Sequence, residues 1–202
     1  MKKVLTASAA IVLCALIGIP PALATAMLQV NNGILTGATG VDVNGALYDV
    51  QFTGGTCNAL FNNCDPGLFA FTNVADATAA SNALLDQVLI NTAAGAFDDI
   101  PNLTNGCTAS NICDVMTPYA VYLSPNDGYI AQLVDAENLT GQLQDNVYLN
   151  EFRATLDSGP LSMYTYAVWA PQQTVPEPVT LALMGLGLVG LGVSRRKSKS
   201  HQ

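Results

Sequence analysis

The chain has 202 residues, half of them hydrophobic, and a formal charge of −8. The charge is segregated: between Ala26 and Val175 fourteen acids face a single base, Arg153, for a net of −13, with no lysine and no histidine. This excludes a Ser-His-Asp triad, a Cys-His pair and a Schiff-base lysine from the body. A body so acidic also repels nucleic acid and anionic lipid, while it can attract divalent cations or basic partners.

The first 24 residues have the three parts of a secretory signal. Lys2 and Lys3 form a basic n-region, Val4 to Ile19 is uncharged and mostly apolar, and Ala22-Leu23-Ala24 places small residues where signal peptidase reads them. Export through the Sec machinery and cleavage after Ala24 are expected, with Ala24-Thr25-Ala26 as the neighbouring alternative. Residues 25–170 are then the exported domain. Cys14 follows Leu13 rather than a small residue, so the segment does not read as a lipoprotein signal.

The first folding signal in the body is Val41 to Phe52. Asn44-Gly45 suits a type I′ turn, and Ala46, Tyr48, Val50 and Phe52 alternate onto one face of a strand. Asp42-Val43-Asn44-Gly45 begins like a calcium loop, but its glycine comes too early, and a hairpin accounts for the segment better. Leu68 to Thr72 is a second strand candidate. Residues 76–90 form the main predicted helix, with Asn73 or Asp76 as its cap and Ala77, Ala80, Leu84, Leu85, Val88 and Leu89 as its apolar stripe.

Four cysteines, Cys57, Cys64, Cys107 and Cys113, lie in the body behind a secretory signal, which points to disulfides. Three connectivities are open, and the short loops favour Cys57 with Cys64 and Cys107 with Cys113. The spacings do not match a zinc ribbon or finger, so no metal and no cofactor is expected. Further strands are expected at Tyr119–Leu123, Tyr129–Val134, Val147–Leu156 and Met163–Trp169, with a turn at Ser124 to Gly128. The sum is an α+β, β-rich fold: an antiparallel sheet with one main helix.

No catalytic residue is expected. Carboxylate-pair hydrolysis is the one enzymatic option that the composition leaves, with Glu137, Glu151, Asp98 and Asp99 as its candidates. The aromatics Tyr119, Tyr122, Tyr164, Tyr166 and Trp169 fit a sugar-binding face or, more simply, a sheet core and surface.

Pro171 to Thr174 reads as a polar linker. Beyond it, Val175-Pro176-Glu177-Pro178 precedes Val179 to Val193, fifteen uncharged residues, and then Arg195, Arg196 and Lys197. As a helix the apolar stretch would be about 22 Å long at ~1.5 Å per residue. That is short against a hydrocarbon core of about 30 Å. The basic cluster at its end nevertheless reads as a cytoplasmic stop. Lys2 and Lys3 stay on the same side, so both ends predict a translocated body.

This three-part tail resembles the PEP-CTERM sorting signal of Gram-negative bacteria. The resemblance covers residues 175–202. It implies recognition by an exosortase, processing near Pro176-Glu177-Pro178, transient anchoring in the membrane, and delivery to the envelope or exterior of a cell that makes extracellular polysaccharide and biofilm. The body is similar to a group of proteins with such tails through Val41 to Gly45, Leu47 to Val50, Gly55 to Cys57 and Cys64-Asp65. That second resemblance implies no activity. The expectation is a structural or adhesive exported protein, with polysaccharide or cation binding as the alternative.

Overall fold

The computed structural model describes residues 25–141 and 144–172. The expected signal segment, the sorting motif at Val175 to Pro178, the apolar stretch and the basic cluster at Arg195 to Lys197 lie outside the described residues. Among the described residues no helix is long and apolar enough to cross a membrane.

Two Asn-Gly hairpins open the body. β1 (Met27–Asn31) turns through Asn32-Gly33 into β2 (Ile34–Val43), which turns through Asn44-Gly45 into β3 (Ala46–Thr53). All four turn residues have positive φ, as a type I′ turn requires. The Asp42 carboxylate accepts from Gly45 N at 2.6 Å, so the supposed calcium-loop acid is occupied in closing a turn. Gly37 in β2 has φ +156°, and a Cβ there would meet Val50 O at 2.1 Å. Only glycine permits that approach.

A covering segment follows. It contains α1 (Cys57–Leu60), the Cys57–Cys64 disulfide and a 3₁₀ turn at Pro66–Leu68 capped by Asp65. The strand expected at Leu68–Thr72 is not one. Its alternation is real, because Phe69 and Phe71 enter different core clusters, but its backbone pairs with no strand. The segment carries the chain from one face of the sheet to the other.

α2 (Val74–Gln87) starts and stops slightly before the expected 76–90. Asn73 Oδ1 accepts from Asp76 N at 2.9 Å, and Asp76 sits favourably in the first turn. Ala77, Ala80 and Leu84 are buried on the face toward the sheet. The last turn is tied to β2 by a reciprocal pair: Asp42 N donates to Gln87 Oε1 at 3.0 Å, and Gln87 Nε2 donates to Asp42 O at 2.8 Å.

A small hairpin follows, β4 (Asn91–Thr92) with β5 (Gly95–Ala96), then a 3₁₀ turn at Pro101–Leu103. The Cys107–Cys113 disulfide leads into β6 (Ile112–Ser124); β7 (Gly128–Leu139), β8 (Asn146–Arg153) and finally β9 (Tyr164–Pro171) follow in the chain. Both disulfides are the local pairs that the loop lengths favour. β6 and β7 are much longer than expected. Pro118 sits in β6 at a register shift, the place where a sheet tolerates a missing N–H.

The seven-stranded sheet has the order β1-β2-β3-β9-β6-β7-β8. Here the structure corrects the expectation of a wholly antiparallel sheet. β9 pairs antiparallel with β3 but parallel with β6, so the sheet is mixed. Insertion of the last strand between two hairpin systems produces that parallel step. α2 packs on one face over β2, β6 and β7. The other face curls. Phe152 of β8 and Tyr164 of β9 have ring centroids 5.1 Å apart, although two strands lie between them. Flat strands three steps apart would stand about 14 Å apart.

Candidate functional site

The curled face holds an unusual group. The β6–β7 register sets Asp114 directly opposite Glu137, and Asp135 follows one row along β7 on the same side. Tyr164 of β9 is level with Asp114, and Tyr148 of β8 is level with Asp135. Asp114 is 1% exposed and Asp135 is 0% exposed.

The local fold explains how Asp114 is placed. The Cys107–Cys113 disulfide fixes the preceding residue, Cys113, in the core on the helix face. Strand alternation then turns Asp114 to the opposite face. Its backbone N donates to Met163 O at 2.7 Å, which locks the start of β6 to the loop before β9.

The electrostatics are those of acids without cations. Asn150 Nδ2 donates to Asp135 Oδ2 at 2.7 Å. Asp135 Oδ1 and both carboxylate oxygens of Asp114 are buried without a hydrogen-bond partner. Burial pushes Asp135 up to about 7, helped by the Asp114 and Glu137 charges and opposed first by the Asn150 hydrogen bond. Burial pushes Asp114 up to about 6, with the Glu137 charge adding and the nearby Tyr148 hydroxyl opposing. Tyr148, Tyr164 and Tyr166 are all raised by burial and then by these carboxylates. Tyr166 is fully buried and its hydroxyl is unpartnered. The one base, Arg153, pairs with Asp127 near the β6–β7 turn instead.

The carboxylates named from sequence are dispersed. Glu137 joins the buried group. Glu151 accepts from the Tyr122 hydroxyl at 2.9 Å and from Gln132. Asp98 and Asp99 both accept from the Asn91 amide beside the small hairpin. The aromatics divide as well. Trp169 is buried on the helix face, donating to Thr117 Oγ1 at 3.2 Å, while Tyr164 and Tyr166 lie on the curled face. Tyr122 is exposed.

A cavity of about 220 Å³ lies elsewhere, lined by residues that include Tyr48, Phe71, Asn44, Thr72 and Asp76. Ligand pockets usually occupy roughly 300–1,000 Å³, and Phe71 is buried beneath this one rather than offered as a platform. Among the described residues no three His, Cys, Asp or Glu side chains converge as metal ligands.

The sorting tail begins close to the fold. β9 runs through Pro171, and Gln172 N donates to Leu47 O at 2.8 Å. Pro171 and Gln172 of the expected linker therefore belong to the folded body. Residues 174–197 match the family model for the PEP-CTERM protein-sorting motif. The tail is an exosortase sorting signal. No curated protein and no solved structure matches the chain. The PEP-CTERM motif thus gives export and processing by an exosortase, and it starts two residues after Gln172, whose backbone bond to Leu47 is the last among the described residues.

Proposed function

We propose that this chain is an envelope or extracellular-matrix protein whose body is structural or adhesive and not enzymatic. The PEP-CTERM motif at residues 174–197 carries the reading, because it directs the body to the cell exterior. Two features of the body support it. Its local disulfides suit an oxidising compartment. Its most perturbed carboxylates are closed to solvent, so a glycosidic bond has no access to them. Signal peptidase acts at the N-terminal end, and Val179 to Val193 holds the chain in the membrane until processing. Association with extracellular polysaccharide and biofilm belongs to the same reading.

Replacing Pro176, Glu177 and Pro178 together with alanine is expected to leave the full chain unprocessed in the membrane. Mass spectrometry of the mature C-terminus decides. An unchanged C-terminus in that variant, or a released wild-type protein that still carries Arg195, overturns the sorting assignment. Release of reducing sugar from matrix polysaccharide by the purified protein overturns the non-enzymatic one.

A further inference from the structure

The acids of the curled face meet no positive charge. From β6 comes Asp114, and from β7 come Asp135 and Glu137. β8 supplies Tyr148 and Asn150, and β9 supplies Tyr164 and Tyr166. Asp145, ahead of β8, adds a further carboxylate near Glu137. The covering segment contributes Phe61, packed 6.1 Å from the Tyr166 ring. Like charges directly across a ladder repel, and an ionised carboxylate buried without donors is costly. A protonated acid removes the charge and supplies a donor. The buried oxygens of Asp114 and Asp135 that lack partners are the places for such a proton.

We propose that Asp114 and Asp135 form a proton-operated latch that holds the edge strand β8 over the curled face. Among the described residues β8 pairs only with β7; its Asn150 amide donates to Asp135, and its Tyr148 stands level with Asp135 across the ladder. With the pair protonated, the face closes with no charge on its two buried carboxyls. When the pair ionises, two carboxylates stand beside Glu137 with only Asn150 and Tyr148 to meet them, and β8 loosens. Both acids have raised values in the folded state, so folding takes up protons. The stabilisation is full below the ordinary carboxylate value of 3.8 and is lost progressively from there until pH has risen through about 6 to 7. This is opposite to an acid paired with arginine. An exported protein meets the pH of its surroundings, so its body tightens where the matrix is acidic.

Thermal unfolding of the full chain in detergent, followed by circular dichroism from pH 5 to pH 8, tests the latch. The melting temperature is expected to fall by roughly 10 °C over that range. Asp135→Asn and Asp114→Asn are each expected to flatten the dependence. Urea unfolding of the unmodified chain at pH 6 is expected to release protons, a readout that does not depend on the variants folding. A melting temperature that is flat or rises with pH, or proton uptake on unfolding, overturns the proposal. So does stabilisation at pH 8 by calcium chloride that Asp135→Asn abolishes, because the pair would then be a cation site.

Discussion

The two faces of the sheet bury polar groups of opposite kinds. Under α2 three buried neutral side chains donate: Ser81 Oγ to Val134 O at 3.0 Å, Asn138 Nδ2 to Phe97 O at 2.8 Å, and Trp169 Nε1 to Thr117 Oγ1. Carbonyls and hydroxyls are plentiful inside a sheet, so neutral donors find partners there. On the curled face the buried groups are carboxylates, which need donors when charged, and the body has neither lysine nor histidine to supply them. Among the described residues the helix face buries no carboxylate, whereas the curled face buries two. An acidic composition that keeps the surface soluble becomes, once folded inward, a source of conditional stability.

Three substitutions sharpen this contrast. The largest effect is expected from Leu84→Ala, which empties a position that is 0% exposed beneath α2. It should cost about 3 kcal/mol, equally at pH 5 and pH 8. Chemical denaturation at both values checks it, and a pH-dependent loss would mean that the two faces are not separate. Replacing Cys107 and Cys113 together with serine should cost about 2 kcal/mol for so short a loop. Because the disulfide fixes Cys113, the residue before Asp114, this change should also reduce the slope of stability against pH, which Leu84→Ala should not do. Tyr148→Phe is the mildest, at about 1 kcal/mol. It removes a hydroxyl that holds both acids down, so the fall in melting temperature should move to higher pH. A fall that moves to lower pH would show that the hydroxyl acts otherwise.

Local chemistry was legible in the sequence wherever it is self-contained. Asn44-Gly45, the Asn73 cap and the two short disulfides each involve residues within a few positions of one another. The same dipeptide at Asn32-Gly33 closes the first hairpin, but the sequence signals only the Val41–Val43 end of β2, because Gly37 and Gly40 interrupt the pattern expected of a strand. Those glycines permit a tight approach and a bulge. β6 and β7 appeared too short for a related reason. Asp114, Pro118, Asp135 and Glu137 read as exits to solvent, since acids and proline normally end strands. Only the curling of the sheet, which brings β8 and β9 side chains over β6 and β7, makes them interior. Of the acids named beforehand, Glu137 alone joins the group. Asp114 and Asp135 carried no signal beyond lying inside apolar runs, and their meeting depends on a register that no local pattern encodes. The parallel pairing of β9 with β6 is likewise a product of long-range insertion.

The position of β9 also has a mechanical meaning. The strand that leads into the sorting tail lies inside the sheet, hydrogen-bonded to β3 and to β6. A pull on that tail runs along β9. It loads in shear the β3 ladder at Tyr166–Pro171 and, behind it, the β6 ladder at Tyr164–Tyr166, rather than peeling an edge strand. Survival under such a pull is set by the rate of unfolding rather than by equilibrium stability. The sorting tail and a strand bonded to two neighbours are one continuous piece of chain.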